Sequence, residues 1–304
     1  MKEILVSRFK NMKQSEPSRV QESVDLFEFM DDTSRKAEIL ALRETEDVKE
    51  KKEIKEDLPC ITPSGLFSKR ISSGLIKHSG YICIDIDAKD NPQITDFERQ
   101  RDEIAKIKNV AYCALSVSGK GLFCIIPIVQ PDLHKEYFQA LKWCFGKLGI
   151  VIDKNCSDVT RLRVCTYDPK RYRNEEEAIP FYKVLEDMSL NKGAKKKRDW
   201  ESNNRKISKS NNVEKIVRDI VAKIEEKCID ITDDYDVWLK IAFAFANEFG
   251  EGGRELFHIV SQCSPKYKSG ETDSKYTSCL NSSAMGPTVT IGTFFYIAKN
   301  HGLI

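Results

Sequence analysis

The chain has 304 residues, 40% of them hydrophobic and 32% charged, with a formal net charge of +2. That length supports two domains with their own cores, and so balanced a charge does not by itself mark a nucleic-acid binder. Ten cysteines without a C-x-x-C pair, and four histidines at 78, 134, 258 and 301 without ligand spacing, argue against a disulfide or zinc scaffold. The N-terminal residues show no apolar signal core and the longest apolar stretch, 122–129, is too short to cross a bilayer, so the expected setting is the cytoplasm, with no membrane partner.

In chain order, residues 35–57 alternate Glu and Lys at helical spacing and read as one solvated helix. A Pro/Gly-punctuated loop over 58–65 leads to Tyr81-Ile82-Cys83-Ile84-Asp85-Ile86-Asp87, a strand with isoleucines on one face and Asp85 and Asp87 on the other. Two carboxylates this close raise each other's pKa unless a cation sits between them. Hard oxygen ligands suit Mg²⁺ or Mn²⁺; the plainer alternative is a strand end facing water. Residues 93–108 form an amphipathic helix with Ile94, Phe97, Ile104 and Ile107 inward, and 110–116 and 122–129 are strands joined by a turn at Ser118-Gly119-Lys120-Gly121. Helical spacing returns over 133–148, and 161–166 is the closing strand. Strand, helix, strand, strand, helix, strand predicts an α+β fold. Its core is an RRM-like split βαβ antiparallel sheet, helices on one face and the other face free to present Asp85 and Asp87.

The hairpin 116–121 has two glycines that let backbone amides approach an anion, while Ser118 and Lys120 add a hydroxyl and a charge. It lacks the spacing of a Walker loop. Further on, Arg161 and Arg163 alternate onto one strand face, a good fit to phosphate oxygens, and either Asp153 or Asp158 could complete a carboxylate triad. Together these pieces describe a site for a metal, a triphosphate and a nucleic-acid end.

Residues 186–212 are polar and basic and read as a flexible linker, in which Lys195, Lys196, Lys197 and Arg198 either hold DNA phosphates or merely solubilise a spacer. The linker separates a domain at 1–185 from an all-helical one at 213–304. There, 213–227 and 235–249 are helical, Trp238, Ile241, Ala242 and Phe245 form a core stripe, and a last helix runs from a Thr290 cap to a Gly302 stop.

The order of motifs, D-x-D strand, S-G-x-G hairpin, then an acidic residue before an arginine-rich strand, resembles the archaeo-eukaryotic primase superfamily in its small primase-polymerase branch. Leu58-Pro59 through Ser64-Gly65 and Phe67, with His78-Ser79-Gly80, Arg161-Leu162-Arg163 and Tyr167-Asp168-Pro169, are similar to the VirE N-terminal domain of Bacteroides-type mobile elements. That resemblance spans nearly all of 1–185. Residues 213–304 resemble the primase C-terminal domain of the second type, through Trp238, Ser264-Pro265-Lys266-Tyr267 and Thr290-Ile291-Gly292-Thr293.

The resemblance implies a DNA primase/polymerase-like replication protein of a mobile element. It would perform metal-dependent nucleotidyl transfer on single-stranded DNA from nucleoside triphosphates, beside a separate replicative helicase. Asp85, Asp87 and Asp153, with Asp158 as substitute, would hold Mg²⁺ or Mn²⁺, and Ser118, Lys120, Arg161 and Arg163 would cradle the triphosphate. One departure bears on catalysis: active members carry a phosphate-contacting histidine two residues beyond the second glycine of the hairpin, where this sequence has Phe123, which has no hydrogen bond to donate. Two other readings compete. A DNA-binding or initiation module would not depend on the carboxylates. A metal-dependent phosphohydrolase also opens on D-x-D, but Lys89 stands where that class carries threonine or valine.

Overall fold

In the computed structural model, which describes residues 3–14, 23–185, 207–282 and 289–304, the chain divides into two units, 1–178 and 179–304.

Short alternating segments in the first unit pair into two antiparallel sheets. One contains β1 (Leu5–Phe9), β2 (Ser23–Asp25), β3 (Cys60–Thr62) and β9 (Arg163–Val164) in the order β2-β1-β3-β9; the other contains β6 (Tyr81–Asp87), β7 (Tyr112–Leu115), β8 (Gly121–Pro127) and β10 (Tyr172–Arg173) in the order β10-β7-β8-β6. A small ribbon, β4 (Gly65–Phe67) with β5 (Leu75–His78), lies between them in sequence. The second sheet holds the expected split βαβ unit: α4 (Phe97–Ile104) connects β6 to β7 and packs on β7 and β8, and β8 fills the place between the two strands it joins.

Two expectations about this sheet are corrected. The closing strand does not join it, because β9 pairs with β3 (Cys60 opposite Val164, Ile61 opposite Arg163), and β10 on β7 supplies the fourth strand. The edge of β6 is already occupied: the backbone N–H of Asp153 donates to Asp85 O at 2.8 Å, so the chain has left this sheet before the arginines arrive. Nor is the carboxylate face free. Tyr81, Cys83, Tyr112, Phe123 and Ile125 from this sheet share one apolar core with Val6, Phe9, Cys60, Ile61 and Val164 from the other, and a cavity opens at the Asp85–Asp87 end.

The solvated segment 35–57 is two helices, α2 (Lys36–Glu44) and α3 (Val48–Asp57), since Asp47 caps the second by accepting from the amides of Lys49 and Glu50. α1 (Leu26–Asp31) precedes them, and α5 (His134–Lys147) realises the helix expected at 133–148.

In the second unit α6 (Ile207–Lys227) starts ahead of the expected position, and α7 (Tyr235–Phe249), α8 (Arg254–Gln262), α9 (Ser269–Asn281) and α10 (Ile291–Asn300) follow. Ile241, Ala242 and Phe245 are buried as the stripe required. Trp238 anchors α7 to α8 by donating from Nε1 to Ser261 Oγ at 2.9 Å and leaning on Phe257, 5.3 Å between centroids. Gly302 ends α10 at φ +69°, in the left-handed region. Thr290 stands at the cap position, but its hydroxyl makes no cap bond. Among the described residues no helix is long and apolar enough to cross a membrane.

Candidate functional site

Period-two alternation sends Asp85 to the inner face of β6, next to Phe123 on β8 and opposite the arginines of the other sheet. Asp85 is 7% exposed. Its Oδ1 is ion-paired with Arg163, and its Oδ2 accepts from Arg161 at 3.3 Å. The same Arg161 nitrogen donates to Asp153 Oδ2 at 2.9 Å. Asp153 is itself fixed by its amide bond to the Asp85 carbonyl and by accepting from Asn155 N at 3.0 Å. Buried carboxylates are tolerated only when paired and hydrogen-bonded, and here two guanidinium groups meet that need.

Phe123 packs beneath this cluster. Its fully buried ring stacks on Tyr112 at 5.8 Å and meets the Arg163 guanidinium 4.6 Å from its centroid. The residue that departs from the family pattern therefore holds an arginine by its π face. Burial alone would make Arg163 easier to deprotonate, but the acidic neighbours, Asp85 first among them, together outweigh it and keep the guanidinium charged.

Asp87 is less well served. Its nearest cation is Lys89 Nζ at 3.8 Å, and burial first, then the charge of Asp85, push its carboxyl above the usual range.

These groups open onto a cavity of about 910 Å³ whose wall includes Asp85, Asp87, Ser118, Asp158, Arg161 and Arg163. Of the two open choices for a third carboxylate, Asp153 approaches Asp85, while Asp158 lies on the wall and accepts from Thr160 N at 2.9 Å. Lys120 does not join them: it lines a separate depression with Thr95, Phe97 and Glu98. Lys195, Lys196, Lys197 and Arg198 lie outside the described residues.

Several residues here were not singled out in the sequence. Lys55 and Arg70 add positive charge to the wall, and the Nε atoms of Arg70, Arg161 and Arg163 are buried without a partner among the described residues. Burial, then the neighbouring Arg163, lowers the Lys55 ammonium pKa. Cys156 is buried beside the carboxylates, with its sulfur and one oxygen each of Asp85 and Asp153 all within 4.8 Å of one another; burial pushes its thiol pKa up strongly. Arg43 braces the hairpin: its Nε donates to Val117 O at 3.1 Å and its NH2 to Ser116 O at 3.0 Å and Tyr167 O at 2.8 Å. Gly119 is in the left-handed region at φ +70°, and a Cβ there would stand 3.3 Å from Arg43. No short motif signals Arg43, Lys55 or Arg70, because each belongs to an element remote in sequence from the hairpin and strand it serves.

The comparison with known families adds to this geometry. Residues 53–172 match the family model of the BT4734-like N-terminal domain, and residues 217–298 match that of Primase C terminal 2, PriCT-2. The chain thus carries a match to the BT4734-like N-terminal model followed by a match to the PriCT-2 model. This is the pair of domains, in the order, that the motifs implied, although the first match is narrower than 1–185. The BT4734-like match contains the whole charge cluster, and the PriCT-2 match spans Trp238 and the start of α10. No curated protein and no solved structure matches the chain.

Proposed function

We propose that this primase-related replication protein transfers nucleotidyl groups to a DNA 3′ end in the cavity of its BT4734-like domain. One observation carries the reading: three arginines, Arg70, Arg161 and Arg163, each keep a buried Nε–H without an acceptor among the described residues, around a cavity that also holds Asp85 and Asp87. Buried donors of this strength are normally satisfied, and phosphate oxygens are the acceptors that guanidinium geometry suits.

The residues also fit a divalent cation. Asp85 and Asp153 bring oxygens close together, and the raised Asp87 carboxyl is a group that a cation would relieve. Asp85, Asp153 and Asp87 would hold Mg²⁺ or Mn²⁺. When bound, the ion would screen phosphate charge and increase the acidity of the attacking hydroxyl. The remaining work belongs to the chain: Arg70 and Arg163 hold the triphosphate, Ser118 and the hairpin amides position it, and Arg43 keeps that hairpin in place. Phe123 has no donor, but by fixing Arg163 it keeps a cationic donor beside the carboxylates.

A second reading, a DNA-binding module without catalysis, is favoured by the engagement of both Asp85 oxygens by Arg161 and Arg163. Primer extension on single-stranded DNA with Mn²⁺ or Mg²⁺ separates the two. The wild type is expected to incorporate nucleotides, and Asp85→Ala/Asp87→Ala to be slower by about 100-fold or more. No incorporation by the wild type, with equal DNA binding by both proteins, would support the module instead.

A further inference from the structure

Arg161 stands where the two charges of the site compete. A single nitrogen, NH2, donates to Asp153 Oδ2 at 2.9 Å and to Asp85 Oδ2 at 3.3 Å. It therefore ties up one oxygen of each of the two carboxylates that approach one another and that a divalent cation would need. Its Nε has no acceptor among the described residues, and its side chain is 37% exposed on the cavity wall. Arg163 is held differently, since its side chain is 9% exposed, paired to Asp85 and seated on Phe123. Of the two arginines, only Arg161 has room to turn.

We propose that Arg161 is a latch: with the cavity empty it bridges Asp85 and Asp153 and opposes a divalent cation, and phosphate draws it off so that the cation can enter. This rests on the reading of the cavity as a metal and triphosphate site. A guanidinium cannot share carboxylate lone pairs with a metal ion a few ångströms away without strong repulsion. A triphosphate offers the same guanidinium bidentate acceptors, including one for its idle Nε–H. Whatever Arg161 gains on phosphate, the carboxylates gain for the cation, and the coupling is reciprocal. Metal alone then binds weakly, and metal with triphosphate binds cooperatively.

The test titrates Mn²⁺ alone, followed by the electron paramagnetic resonance signal of the free ion, into wild type, Arg161→Gln, Arg161→Lys and Asp85→Asn. Arg161→Gln is expected to bind Mn²⁺ about tenfold tighter than wild type. Arg161→Lys, which keeps the charge but loses the planar fork, should fall between them. Asp85→Asn should lose the site. In metal-free buffer, Arg161→Gln should bind inorganic tripolyphosphate several-fold more weakly than wild type. Mn²⁺ affinity in Arg161→Gln equal to or below that of wild type, with Asp85→Asn still abolishing binding, overturns the latch but leaves the metal site standing. Absence of Asp85-dependent Mn²⁺ binding in every protein overturns the latch and the metal reading together.

Discussion

Asp85 and Asp87 differ by one turn of the strand's alternation and by their partners: the first is enclosed by Arg161 and Arg163, the second has only Lys89 Nζ at 3.8 Å. With its carboxyl raised by burial and by Asp85, ionised Asp87 destabilises the fold. The sign follows from linkage. An acid whose folded pKa is raised costs nothing below its unfolded value, and its cost grows as pH rises toward the folded pKa. Asp87→Asn is therefore expected to melt above wild type at pH 7, with the difference shrinking as pH falls toward 4. A difference that stays constant or grows on acidification would show that the carboxylate is not strained. The D-x-D pair and the paired arginines were legible because alternation places each on a face. The ion pairs between them were not, because they depend on β9 pairing with β3, about a hundred residues away in sequence, and local pattern carries no information on such a partner.

Tyr167-Asp168-Pro169 was recognisable as a motif without a visible role, and its place among the strands and helices supplies one. Asp168 lies between β9 and β10, where its carboxylate accepts from Arg101 NH1 on α4 at 3.0 and 2.9 Å and from the Leu115 amide of β7 at 2.9 Å. Both side chains are 1% exposed. The pair fastens the chain that leaves one sheet to the helix and strand of the other. Arg101→Met leaves the buried Asp168 carboxylate with backbone amides as its donors and should destabilise by about 3 to 5 kcal/mol in urea unfolding, whereas Asp168→Ala leaves Arg101 still paired with Asp102 and should cost less. A loss below about 1 kcal/mol in Arg101→Met, the range of an exposed pair, would mean that the fastening lies elsewhere. Elements with strong periodicity, β6, β8, α5 and α7, were read close to their observed bounds. The break between α2 and α3 was missed because Glu and Lys favour helix on both sides of it, and only the Asp47 cap ends the register. β1 and β2 were missed as well: three to five residues offer too few alternations to stand out.

For the molecule as a whole, the sequence motifs and the family matches agree on a BT4734-like domain followed by a PriCT-2 domain. What local pattern could not give is that the carboxylates and the arginines come from two sheets over a shared core, which places positive and negative groups on one cavity wall, the arrangement on which the proposed binding of phosphate and cation rests. The most direct measurement is anomalous scattering from Mn²⁺ in crystals of the full chain grown with a non-hydrolysable deoxynucleoside triphosphate. The expected map has a manganese peak bonded to Asp85 and to Asp153 or Asp87, with the phosphates on Arg70 and Arg163. Nucleotide bound with its manganese away from Asp85, or bound outside this cavity, would contradict the proposed site.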